Sequence, residues 1–379
     1  MKDGINKNSI SKRSTIYSFK YNNFVLTFKI LCLILSISIA EGTLRNLISL
    51  SSEIHLVING TGNQTLINNS FYLQPSQVFV NGIYRESCKT FCEFEYEENN
   101  VTLVFNETLN SCEMMFFELD NIKELDFSKF ENINSSSLVD MERVFYNCSQ
   151  LTVIDGINFD TSLVTTMEGL FYNCSNLITI DVSNFNTSNV NSLRVLFYNC
   201  HNLISVNLSN FDTSLVTNMD YMFYNCSSLL YINVSNFNTS NVKSLRSLFY
   251  NCSSLISLDV SNFDTSSVTI MEHTFYGCSN LLSLNLSNFN TIKVKSLKSF
   301  LYNCHKLTSI NLSNFDTSSV IDMSFLFYGC SSLSSIDITN FNTSSVRSLL
   351  CLFYECNKLT SLDVSNFDTS SVIDMSFLF

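Results

Sequence analysis

Nine cysteines recur every 26 residues, at Cys148, Cys174, Cys200, Cys226, Cys252, Cys278, Cys304, Cys330 and Cys356. Thiols in such a column could do two kinds of chemistry. They could ligate metal ions, or they could cross-link into a chain of disulfides. The first repeat speaks against both. Its equivalent position is Leu119, which can neither ligate nor cross-link. The expectation is therefore a column of buried, reduced thiols filling a narrow slot. Three earlier cysteines, Cys88, Cys92 and Cys112, stand outside that column. In an oxidising compartment two of them can form a disulfide, and spacing alone does not choose the pair.

The other chemistry-bearing residues are sparse. Of four histidines, His201 and His305 share one repeat position, four repeats apart. At a stacking step of about 4.8 Å they lie roughly 19 Å from each other, too far for a shared metal. There is no Gly-rich phosphate loop and no C-x-x-C pair. No Ser, His and acid cluster stands out from the repeat. No catalytic residue, metal ligand or cofactor site is expected, and the chain reads as non-enzymatic. An enzyme with its site in residues 41–111 is the poorer alternative, because no convergent acid–base set is present there.

The period itself dictates how these residues are positioned. A fixed 26-residue repeat is the signature of stacked, near-identical units. Each begins like Leu177-x-x-Ile180-x-Val182-Ser183-Asn184-Phe185, similar to the L-x-x-L-x-L core of leucine-rich repeats. Alternation at Ile180 and Val182 puts both side chains on one interior face of a short strand. The second half supplies Val190, Leu193, Leu196 and Phe197. That spacing of three and four predicts a helical turn or short helix. The predicted fold class is an α/β repeat: a leucine-rich-repeat solenoid of about ten coils with a parallel sheet, over residues 112–379. A three-residue insertion falls near Glu131–Ser137. Residues 41–111 do not follow the period. Alternating runs at Ser52–Ile58, Gln77–Tyr84 and Phe91–Tyr96, with Asn59-Gly60 and Asn81-Gly82 as turn signals, predict a small β-rich cap.

Rows of equivalent residues define the candidate surfaces. One outward row is Asp181, Asn207, Asn233, Asp259, Asn285, Asn311, Asp337 and Asp363, flanked by a Ser row from Ser183. This polar, repetitive face is the candidate binding face. It suits a repetitive partner: a glycan, a matrix polymer or another copy of the chain. It lacks the Trp, Tyr and Arg anchors of a tight protein interface. A tyrosine column runs from Tyr146 to Tyr354 and could stack on sugars if it faced solvent. The Phe column beside it predicts instead that the rings pack under neighbouring repeats. Glu168, Arg194, Asp220, Arg246, Glu272 and Lys298 occupy one position on six successive repeats. Opposite charges should therefore face each other across the stack, at about 0–1 kcal/mol per exposed pair.

Composition bounds the rest. The net charge is −12 with only 21 Lys and Arg in 379 residues, which disfavours nucleic acid or an anionic membrane as partner. A basic lead from Lys2 to Lys29 precedes an apolar run from Ile30 to Ala40. This reads as a signal peptide over residues 1–40, or as an uncleaved signal anchor that would tether the chain to a membrane. Secretion or display at the cell surface follows from either. Sequons such as those at Asn59, Asn63, Asn100, Asn106 and Asn134 agree with a glycoprotein. The chain ends at Phe379 inside a repeat, which reads as an array continuing further.

The wording of the repeat resembles a known family. Asn314 to Leu333 reads Asn-Phe-Asp-Thr-Ser-Ser-Val-Ile-Asp-Met-Ser-Phe-Leu-Phe-Tyr-Gly-Cys-Ser-Ser-Leu. This is similar to the BspA-like leucine-rich-repeat surface proteins, and more narrowly to the mycoplasma-type lipoprotein repeat. The resemblance covers roughly residues 112–379. It implies a secreted or cell-surface protein linked to adhesion, and it carries no catalytic or ligand residues; a structural coat protein whose polar face binds its own copies is the alternative. The lipid-attachment box of the bacterial lipoproteins is missing.

Overall fold

A computed structural model describes residues 52–130, 138–157 and 159–379. The predicted signal segment, Asn134 and the insertion near Glu131–Ser137 lie outside the described residues. Among the described residues no helix is long and apolar enough to cross a membrane.

Among the described residues twelve strands follow one another: β1 (Ser52–Asn59), β2 (Gly62–Thr65), β3 (Gln77–Val80), β4 (Ile83–Tyr84), β5 (Phe91–Phe94), β6 (Glu98–Phe105), β7 (Ile122–Asp126), β8 (Val153–Asp155), β9 (Thr179–Asp181), β10 (Ser205–Asn207), β11 (Ser283–Asn285) and β12 (Ser309–Asn311). Alternation makes β1 a strand, since Ile54, Leu56 and Ile58 all point into the core. Asn81 and Gly82, at φ 52° and 78°, turn β3 tightly into β4. The main sheet has the order β4-β3-β6-β1-β7-β8. It is antiparallel up to the β1–β7 pair and parallel from β7 to β8. A separate antiparallel pair joins β2 to β5.

The expected α/β leucine-rich-repeat solenoid does not form. Among the described residues no helix is present, and they are all-β with small separate sheets. Beyond β8 the strands are three residues long and pair only as β9–β10 and β11–β12. The segment expected to be helical is instead a series of turns. In residues 169–174 alternate amides leave the local turn. Gly169, Phe171 and Asn173 donate to the carbonyls of Arg194, Leu196 and Tyr198 in the next repeat. Leu170, Tyr172 and Cys174 donate three residues back, to Met167, Gly169 and Phe171. An α-helix would need every amide for its own i−4 carbonyl. Two residues per repeat also adopt left-handed backbone, such as Gly169 (φ 64°) and Asn173 (φ 57°), then Val195 (φ 50°) and Asn199 (φ 58°). Left-handed residues are incompatible with a right-handed helix. The apolar spacing of three and four nevertheless does its work, because Leu170, Phe171, Val190, Leu193, Leu196 and Phe197 are all buried.

Successive repeats lie in register. Parallel bridges link Asp140 to Thr166, Thr166 to Ser192, and so on to Ile270, and again from Ser296 to Asp374. Phe145, Phe171, Phe197, Phe223, Phe249 and Phe275 stack ring on ring at 5.3–5.9 Å. One continuous apolar core runs from Ile54 to Phe353.

Candidate functional site

The Asp/Asn row lies where strand alternation places it. In the β9–β10 pair Ile180 and Val206 face inward, while Asp181 and Asn207 face outward, paired in register. All eight members are exposed. None is a loose side chain. Each Oδ1 accepts the backbone amide two residues on, at 2.9–3.1 Å: Ser183 to Asp181, Ser209 to Asn207, Ser235 to Asn233, Ser261 to Asp259, Ser287 to Asn285, Ser313 to Asn311, Thr339 to Asp337 and Ser365 to Asp363. Asp and Asn are favoured here because their short side chains close such Asx turns. Hydrogen bonding from the Ser183 hydroxyl, and then from its backbone amide, holds the Asp181 carboxyl below the usual carboxylate range, and Ser261 does the same for Asp259. Each side chain also carries a second polar atom that no hydrogen bond among the described residues takes up. It is a carboxylate oxygen on the Asp repeats and an amide nitrogen on the Asn repeats. The row is thus a rigid comb of acceptors and donors.

The tyrosine column is not a sugar platform. From Tyr146 to Tyr328 the rings lie parallel with centroids 4.2–4.5 Å apart. Each ring face is covered by its neighbours in the column. Burial, with neighbouring tyrosines adding to it, pushes the Tyr198 hydroxyl up to about 12.

The periodic cysteines are free thiols, buried at every position except the half-buried Cys356. Their Sγ atoms donate to a backbone carbonyl of the preceding repeat at 3.0–3.3 Å, as Cys226 does to Phe197. Burial raises each thiol, Cys278 to about 12. Of the three earlier cysteines, Cys88 and Cys92 form a disulfide and Cys112 is free and buried. His201 is half-buried, and His305 bonds the Gly329 carbonyl at 2.9 Å. Among the described residues no group of three or more His, Cys, Asp or Glu is placed to hold a metal ion.

The charge ladder forms as separate pairs. Arg194 reaches Glu168 at 2.5 Å, and Arg246 reaches Glu272 at 2.8 Å. Asp220 lies between the two arginines and accepts the Arg246 backbone amide at 3.0 Å. A guanidinium that turns to one neighbour is no longer available to the other, so alternation in sequence does not become a continuous chain.

A second polar column was not singled out from the sequence. Thr161, Thr187, Thr213, Thr239, Thr265, Thr291, Thr317 and Thr343 are buried, and each hydroxyl donates to a carbonyl of the next repeat. The signal was present as an unbroken Thr every 26 residues. A recess also opens at the seam of β1 and β7, lined by His55, Glu124, Asp126 and Asp155 among others. There His55 binds Thr102 at 3.0 Å and lies 3.3 Å from Glu53.

A family model described as "Mycoplasma protein of unknown function, DUF285" matches residues 110–230, 192–310, 230–333 and 304–379, overlapping segments that run through the whole repeat array. Neither a curated protein nor a solved structure matches the chain.

Proposed function

The chain belongs to the mycoplasma-type DUF285 repeat family, and from that premise we propose that it is a non-enzymatic recognition protein working at the cell surface. The observation that carries this reading is the exposed Asp/Asn comb. Its polar atoms are spaced by the repeat and locked by Asx bonds, so little side-chain freedom is lost when a partner binds. A linear, hydroxyl-rich glycan fits such a comb, because each sugar hydroxyl can both donate and accept. The repeat wording, similar to BspA-like surface proteins, and the basic and apolar lead of residues 2–40 support a surface location.

The test changes the comb without unfolding it. Asp already closes the same turn at 181, 259, 337 and 363, so N207D/N233D/N285D/N311D keeps every Asx bond and removes four donors. On a glycan array and in a cell-binding assay, the variant is expected to lose at least tenfold in binding with its circular dichroism unchanged. Binding that survives the substitutions would reject this face as the site.

A further inference from the structure

A different corner of the repeat carries two rows of opposite charge. Lys243, Lys295 and Arg347 occupy one position on every second repeat and are exposed. Their backbones lie on one ladder. Thr269 donates to Lys243, Ile321 to Lys295 and Ile373 to Arg347, each at 2.8–2.9 Å. Asp212, Asp264, Asp316 and Asp368 occupy a second position on the repeats in between, on a ladder held by the buried threonines. Among the described residues none of these three cations lies within 4.0 Å of a carboxylate, unlike Arg194 and Arg246, which are paired. The two rows share one corner. Ser318, whose amide bonds Asp316, lines a shallow basin together with Lys295 and Arg347, and Lys293 acts on the charge of Asp264. Exposed Ile321 lines the same basin, and exposed Ile292 lies beside Asp316.

A half-turn about an axis parallel to the stack exchanges these two rows. Lys295 of one copy then meets the gap between Asp264 and Asp316 of the other. Lys243 meets the gap between Asp212 and Asp264, and Arg347 that between Asp316 and Asp368. A half-turn about a perpendicular in-plane axis would set cation against cation. We infer that this corner is the contact between two copies of the chain lying side by side in the same direction, with the cations of each interleaved between the carboxylates of the other. Such an isologous contact is self-complementary by symmetry, and the interleaved charges set its register as flanking charges do in paired helices. The Asp row beside the cations disfavours a polyanion as occupant. This face is distinct from the Asp/Asn comb, so the inference stands or falls apart from the glycan reading.

The test is sedimentation equilibrium of the full chain across a range of salt concentrations, with two variants. Wild type is expected to be a dimer at low salt and to dissociate as salt rises. K243E/K295E/R347E is expected to be monomeric. D212N/D264N/D316N/D368N keeps the turns, since Asn fills the same position at 238, 290 and 342, and is expected to raise the dimer dissociation constant at least tenfold. A monomeric wild type, or a dimer indifferent to salt and to both variants, overturns the inference. So does heparin binding to a wild-type monomer that the Lys/Arg variant abolishes and the Asp variant leaves intact, which would make the row a polyanion site.

Discussion

Thr213 and Asn238 hold each other twice across the junction of two repeats. The threonine hydroxyl donates to the Asn238 carbonyl at 2.9 Å and accepts the Asn238 amide at 2.8 Å. The same reciprocal pair recurs at Thr161 and Asn186, Thr265 and Asn290, and Thr317 and Asn342. Stacking thus depends on a buried hydroxyl as well as on apolar area.

Thr213→Val keeps the shape of the side chain and removes both bonds, leaving an amide and a carbonyl without their partner. A loss of about 1–3 kcal/mol is expected. Urea unfolding should show a lower midpoint with an unchanged slope, and Thr213→Ser should recover most of the loss. Equal midpoints for Thr213→Val and wild type would show that the hydroxyl column does not bind the repeats together.

The thiol column makes stability fall in alkali. Burial raises the folded thiols, Cys112 and Cys278 to about 12 and Cys356 to about 11, whereas an unfolded cysteine titrates near 8.5. Above that pH the unfolded chain gives up protons that the folded chain retains, so the contribution is complete below about pH 8.5 and is lost as pH rises toward the folded values. Each thiol adds a slope of about 1.4 kcal/mol per pH unit in that window. Unfolding followed from pH 7 to pH 11 should show a steep loss of stability, and iodoacetamide should leave the eight buried thiols from Cys148 to Cys330 unlabelled in the native protein at neutral pH. Rapid labelling of Cys226 in the native protein would contradict this burial.

Val195 and Gly169 occupy the same left-handed position of successive repeats, at φ 50° and 64°. A β-branched residue pays for that conformation where glycine does not. A Cβ on Gly169 would meet nothing closer than 3.4 Å, so the cost of Gly169→Val is one of backbone conformation, about 1–2 kcal/mol. Val195→Gly should cost less than its lost side chain would suggest, because relieved backbone strain offsets the packing. Thermal melting of the two variants checks the asymmetry. A neutral Gly169→Val would mean that the turn series tolerates another backbone path.

Much of the molecule was legible in the chain. The 26-residue period placed equivalent residues at one level of successive repeats, and burial follows the residue type: Cys226, Phe223 and Ile232 go inside, and Asn233 goes outside. The conformation of the second half of each repeat was not legible. Apolar residues three and four apart line one face of a helix, and they line one face of this turn series equally well. The choice depends on where alternate amides find carbonyls. Phe171 finds one on Leu196, 25 residues ahead, and no local pattern records that distance. Alternating charge at Glu168, Arg194 and Asp220 was visible, yet only packing decided that Arg194 turns to Glu168. Among Cys88, Cys92 and Cys112 the spacing left the pair open, and the fold closed it by bringing the Cα atoms of Cys88 and Cys92 to 4.9 Å. The sequence by itself determined which residues share a level and which are apolar enough to be enclosed. The tertiary structure alone decided which backbone groups satisfy one another, because those partners belong to the next repeat.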